Sequence, residues 1–488
     1  MLLRAHLLEE AEELSQIEEH KTGVSRRTFL KGAGAVVMLV AAGGVWRAAD
    51  QGVFSTGEGP AYKPWEDWRG DNLEGAFALV PAAILASNAH NIQPWLFRIE
   101  ESRIDLFVDR ERNDGAADPL RREQYMSLGC ALENLILAAQ ARGYAHQLKL
   151  MPEGSDSTYV ARLALSPGQE RPSDLYEAIP HRHTNRYPYD TGRQVPAGTL
   201  DDLDALNDQA DVKVFWFSSP EERKRIGDLT IAATEAFIAD AEQSSYSNAW
   251  YRHDWDEIQH KRDGITLDAS GAPFLLRVVG KIFPESSREQ NDKTWLTVTK
   301  DKQVPTAAAF GIIAVRDARD DGQRLRAGRI WQRMHLWATA EKLAMQPLNQ
   351  INERADREEQ LGIEPRFGDA LKELLGDPRW QGAFSFRMGY PTETAPESPR
   401  RSVDEVVVSL WGNSSWRPTK KGRAAPMTTR TLLIRHEDSV KSTACTYAFL
   451  INHMLGRPQG RIKSCGEKSR SCGHEPDNTH LGRSSRKD

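Results

Sequence analysis

Cysteine is scarce, at four residues in 488, so a disulfide framework is excluded as the source of stability. Long apolar runs are missing as well. No stretch approaches the ~20 residues that a spanning helix needs, which excludes a polytopic membrane protein. Nor does positive charge dominate: the net charge of −5 argues against a chain built to coat nucleic acid. What is present is ordinary globular material. With 39% hydrophobic residues and 13 Trp, the chain has enough apolar surface for a core. Its length suits two or three domains of roughly 150 residues each.

The average charge conceals an asymmetry. Residues 412–488 hold 15 Lys/Arg against 6 Asp/Glu, a net of +9, which leaves −14 for the rest. Cys445, Cys465 and Cys472 all lie in this basic tail. Cys465 and Cys472 with His474 and His480 match no strong zinc-finger spacing, and their Ser/Arg/Gly-rich surroundings read as disorder. No metal site is expected anywhere in the chain.

Near the other end, Ser25-Arg26-Arg27-Thr28-Phe29-Leu30-Lys31 precedes the weakly apolar run 32–46. This resembles a bacterial twin-arginine export signal, making residues 1–49 a leader. The resemblance implies passage through the twin-arginine translocase to the periplasm or cell envelope. If the leader is not cleaved, it would serve as an N-terminal tether.

Residues 50–75 read as a linker or wrap-around arm. Alternation predicts a strand at 103–109, the stretch 211–217 is strand-like, 309–315 reads as a buried strand, and 382–389 closes as a strand. Helical spacing predicts helices over 127–144, 220–243 and 325–343. The sequences following Gly129 and Gly328 are loosely similar. They read equally well as one α+β unit duplicated or as two unrelated amphipathic helices. Residues 245–300, rich in charge and Trp without clear period, are either a lid over a pocket or a surface excursion.

Three segments could carry chemistry. Ser87-Asn88-Ala89-His90-Asn91-Ile92-Gln93-Pro94-Trp95 is a polar loop entering a strand; Asn91 and Gln93 offer both donors and acceptors to a heterocycle edge. His181-Arg182-His183-Thr184-Asn185-Arg186 places two Arg four residues apart, a spacing that can converge on a phosphate. Ser398-Pro399-Arg400-Arg401 pairs two more Arg beside a turn. Each alone also suits a solvated surface or a cap. No Ser/His/Asp or paired-carboxylate constellation is legible, so no catalytic residue is assigned.

Together with Glu133-Asn134-Leu135, Gln332-Arg333, Leu343–Leu348 and Arg387-Met388-Gly389-Tyr390-Pro391, these segments resemble the nitroreductase family of FMN-binding flavoproteins. The likeness is to the Acg-type branch and spans roughly 76–410. It implies an α+β, nitroreductase-like fold in which two tandem halves, 50–190 and 191–411, form one FMN site, with a monomer as the natural state. By resemblance, Arg182, Thr184, Arg400 and Arg401 would hold the FMN phosphate, and Arg186 would face the N1/O2 edge of the ring. Ser87, Asn88, Asn91 and Gln93 would line the ring from the first half. Gln346, Pro347 and Leu348 would close it from the second. The family departs here at Ser87-Asn88-Ala89, where relatives carry a Pro-Ser-Pro-like turn. The implied activity is two-electron transfer from a donor such as NAD(P)H to a nitroaromatic or quinone. An alternative is a flavin-sequestering protein with an occluded ring and little turnover.

Overall fold

A computed structural model describes residues 44–154 and 157–408. The twin-arginine motif and the tail 412–488 with its cysteines lie outside the described residues.

The architecture is α+β, in two halves that repeat one plan. The first half runs β1 (Trp95–Glu100), β2 (Arg103–Val108), α1 (Arg122–Ala141), β3 (Tyr144–Leu150) and β4 (Tyr159–Pro167). All neighbouring strands are antiparallel, in the order β1-β2-β4-β3. The second half begins with β5 (Val212–Phe217). An insertion follows, carrying α2 (Pro220–Ala239), α3 (Ala241–Asn248), α4 (Trp255–Lys261), α5 (Phe274–Ile282) and α6 (Arg288–Val298). Then come β6 (Ala309–Val315), α7 (Asp321–Ala340), β7 (Ala344–Pro347), α8 (Gln350–Leu361), α9 (Arg366–Leu375) and β8 (Gln381–Gly389). Its sheet, β5-β6-β8-β7, has the same order and the same antiparallel sense. In each half the long helix lies between the second and third strands. This matching topology resolves the repeat in favour of duplication.

Residues 218–308 occupy the position that in the first half is only the tight hairpin between β1 and β2. The insertion is thus longer than the stretch 245–300 suggested by composition.

Helix boundaries follow their caps. The Asp118 carboxylate accepts the amides of Glu123 (3.2 Å) and Gln124 (2.9 Å), so α1 starts five residues before its apolar period becomes visible. Ser219 and Glu222 form a capping box at α2, with Pro220 in its first turn. Asp240 ends α2 and caps α3 by accepting the Gln243 amide at 3.1 Å, which divides the single helix expected over 220–243. Helix α1 is buried from Arg122 through Ala139, because both halves pack around it.

One apolar core runs through both halves, joining Trp95, Phe97 and Leu135 to Ile313, Trp331, Phe386 and Met388. A second core packs the other face of the second sheet against α2, α8 and α9. The halves also exchange arms. Asn185 donates its amide to Met345, and Asp190 to Tyr390, both in the second half. Conversely, Arg400 donates its amide to Ala61 and Val408 to Phe97, both in the first. The arm 50–75 is packed rather than loose: Trp65 Nε1 donates to Ser398 O at 2.7 Å.

Candidate functional site

Among the described residues, the two halves meet at an open site. It starts at the loop 87–94, where His90, Asn91 and Gln93 all have positive φ. Such conformations cost of order 1–3 kcal/mol each for non-glycine residues and persist only when surrounding contacts dictate them. Here the contacts come from every side. Gln332 Oε1 on α7 accepts the Ser87 amide (3.1 Å), Ser127 Oγ on α1 accepts that of Ala89 (3.1 Å), and Asn88 Oδ1 accepts that of Gln93 (2.8 Å).

Behind this loop lies a recess of about 30 Å³, two to three times the space a single water requires. Trp65, Arg182, His183, Thr184, Arg186 and Arg400 contribute to its wall. Two guanidiniums dominate it. Arg182 donates to Leu85 O (3.1 Å) and Arg400 to Ala86 O (3.3 Å), so consecutive carbonyls hold two cations side by side. Their exposures are only 2% and 3%. Among the described residues neither pairs with a carboxylate, and the Nε of each is buried without a partner. Burial pulls Arg182 down to about 10, and burial followed by the charge of Arg182 depresses Arg400 well below the ordinary range. His183, against the Trp65 ring, falls to about 3 through burial, then Arg182 and Arg400. A pocket of uncompensated positive charge with idle donors is a receptor for an oxyanion.

The recess shares Ser87, Asn88, Thr184, Arg186 and Ile265 with a chamber of about 520 Å³, within the usual range for ligand sites. Gln346, Pro347 and Leu348 form part of its wall. Arg387, which the sequence reading did not assign, donates from Nε to Gln346 Oε1 at 2.7 Å and fixes that amide. The insertion supplies Phe237, Tyr251, Leu276 and Trp295. Residues 245–300 therefore wall the chamber instead of forming a surface excursion.

Of the twelve residues singled out from sequence, the structure brings nine to the cavity walls as surfaces a ligand can meet. Three require correction. Asn91 lines the recess, but its amide is consumed: Nδ2 donates to Gly264 O (3.1 Å) and Pro399 O (2.8 Å), and Oδ1 accepts from Arg400. It positions Arg400 and offers nothing to a heterocycle. Gln93 and Arg401 lie behind the wall. Gln93 donates to Asn91 O and Arg262 O and accepts the Arg401 amide, while Arg401 reaches Gln93 O and Glu405 O. A buried amide must satisfy its hydrogen bonds, and here the chain itself does so.

The equivalent place in the other half is closed. Gln332 meets the Ser87 amide in the open site, whereas Glu133, the corresponding residue of α1, binds Arg329 (2.8 Å) and Arg333 (2.5 Å). Arg333 continues to Leu206 O and Asp208.

No family model matches the chain. Over 343 residues, 69% of this chain and 92% of the relative, it is 25% identical to "Putative NAD(P)H nitroreductase Rv3131" of Mycobacterium tuberculosis. It is likewise 25% identical, over 67% of its length and 90% of the relative's, to "Uncharacterized protein Rv3127" of the same organism. Among solved structures, an FMN-dependent nitroreductase of Mycobacterium smegmatis in complex with NADPH matches at 15% identity. That match covers 49% of this chain and 98% of the other, with a TM-score of 0.28. A nitroreductase with bound FMN from Desulfitobacterium hafniense matches at 13% identity over 49% and 100%, TM-score 0.29. The relatives in sequence support a place in the nitroreductase family.

Proposed function

We propose that the protein is an FMN-dependent oxidoreductase of the nitroreductase type. It would carry two electrons from an NAD(P)H-type donor to a small aromatic acceptor such as a quinone or nitroaromatic. The observation that carries this reading is the pair of buried, carboxylate-free guanidiniums, Arg182 and Arg400, whose unpartnered Nε donors open beside a cofactor-sized chamber. The donor set fits a phosphate dianion. Bound FMN supplies a centre that accepts and returns hydride.

The chain's own residues do the rest. Arg182 and Arg400 hold the phosphate, with Thr184 beside them. Arg186, at the junction of recess and chamber, is the cation available to stabilise negative charge on a reduced ring. Burial lowers its own pKa, so its charge acts with little screening. Ser87 and Asn88 border the ring from the first half, and Gln346–Leu348 from the second. The insertion adds Phe237, Tyr251, Leu276 and Trp295 as an apolar wall over the chamber. Since one chain supplies both sides and the second pseudo-equivalent position is filled by ion pairs, we infer one flavin per chain and a monomer. The motif Arg26-Arg27 supports export by the twin-arginine translocase to the periplasm or envelope. Cell fractionation of R26K/R27K against wild type tests that assignment.

The test of function is the absorption spectrum of the purified protein before and after anaerobic NADPH, with flavin quantified per chain. A flavin band at a ratio of one that bleaches is the expected result. A band that persists points to sequestration of an occluded ring. No flavin after reconstitution with FMN sinks the site assignment.

A further inference from the structure

The chamber wall also holds two acids, Glu123 and Glu353, that no step above uses. Helix α1 presents Glu123, Met126, Ser127 and Cys130 to the chamber, one face at spacings of three and four residues. From the other half, α8 presents Gln350 and Glu353. Both acids line the same chamber and each acts on the other's charge, and two neighbouring buried carboxyls resist ionising together.

Charge around the pair adds to that resistance. From α1 and its approach come Arg122 and Asp118; from α8, Asp356; from the loop and the segment after β2, His90 and Asp114. Arg122 is shared between Asp356 (2.8 Å) and Glu123 (3.5 Å), and His90 Nδ1 lies against Asp114. Arg122 and the His90 imidazole thus face five carboxyls: Asp114, Asp118, Glu123, Glu353 and Asp356. Burial first, then the charge of Glu123, pushes Glu353 well above the usual carboxylate range. Burial also raises Glu123, and burial with Glu123 pushes Asp118 up to about 7. A separate observation points to a ligand here. Gln350, one turn before Glu353 and only 3% exposed, has no partner for Oε1.

We propose that Glu123 and Glu353 hold one proton between them at the chamber wall and donate it to an oxygen of the acceptor bound there. The proposal rests on the redox reading above, and it assigns a catalytic role where the sequence suggested none. For a quinone, hydride would come from flavin held at this site, bringing two electrons and one proton. The carboxyl O–H breaks, and its proton completes the hydroquinone. The pair is left as two carboxylates until a solvent proton returns. An acceptor needs an aromatic body to pack against Trp295, Phe237 and Phe384, and an oxygen that becomes basic on reduction.

Two measurements test this. Infrared pH titration of the flavin-free protein should show a protonated carboxyl stretch persisting at neutral pH and lost in E353Q. In the flavin-loaded protein, the ratio of the quinone rate to the ferricyanide rate should fall by about 10²-fold in E353Q and in E123Q. Ferricyanide takes electrons without a proton, so general damage to the site slows both and leaves the ratio constant. An unchanged ratio, or no carboxyl band attributable to Glu353, overturns the proposal. If NADPH and dithionite both fail to reduce a bound flavin, the redox reading fails and the transfer step falls with it. The infrared band then still reports separately whether the pair carries a proton.

Discussion

Gly129 and Gly328 face each other where the two long helices cross, each against the carbonyl three residues before the other. A Cβ on Gly129 would overlap the Leu325 oxygen, and one on Gly328 the Met126 oxygen. Cys130 Sγ donates to Gly328 O at 3.2 Å in the same crossing. The reciprocity is that of a local pseudo-two-fold axis, so the crossing is the seam on which the duplicated halves were joined.

Because backbone on both sides closes the space, Gly129→Ala and Gly328→Ala should each destabilise the fold by about 1–3 kcal/mol, or more where relaxation fails. Chemical denaturation midpoints measure this. Midpoints equal to wild type would show that the helices separate at little cost.

Buried like charges without counter-ions oppose folding until an anion arrives. Arg182→Met, which keeps the volume and removes the charge, should leave the flavin-free protein as stable as wild type or more so. The same variant should weaken FMN binding by about 10- to 100-fold, from the ~1.5–3 kcal/mol of a charge-assisted hydrogen bond. Thermal unfolding with and without FMN reads both effects. A variant less stable without flavin yet binding it normally would assign Arg182 to the scaffold.

His183, with a folded pKa of about 3 against 6.5 unfolded, binds its proton more weakly in the native state. His335 is also depressed well below its ordinary value, by burial and then Arg182. The unfolded chain therefore takes up protons first as pH falls. The contribution of His183 to stability is complete above pH 6.5 and is lost progressively toward pH 3, and that of His335 is lost in the same direction. Each group contributes up to about 1.4 kcal/mol per pH unit. Replacing His183 with Gln should flatten the slope of unfolding free energy between pH 4 and 6.5. A slope equal to wild type would remove His183 from the account. A bound phosphate should reduce the same slope by neutralising Arg182 and Arg400.

Much of the fold was legible because its signals are local. The strand Ala309–Val315 appears as a continuous apolar run, and Val212–Phe217 and Gln381–Gly389 lie within a residue or two of expectation. Strands β3, β4 and β7 went unassigned: β3 alternates half-buried and exposed positions along a polar stretch, and β7 is only four residues long. Leu343 was expected inside α7 but lies beyond its end, buried by a turn whose amide reaches Ala338 O at 2.7 Å.

By itself, the sequence determined which residue types gather at the anion recess. Paired arginines and a polar loop are short-range patterns, and resemblance ordered them. Only the tertiary structure decided which of them are available to a ligand. Asn91 and Gln93 have amide chemistry suited to a heterocycle, yet burial against Gly264, Pro399, Arg262 and Arg401 consumes it. The structure also joined Glu123 to Glu353. Neither was singled out from sequence, and only the fold buries both at one chamber wall, away from the water that would let both ionise.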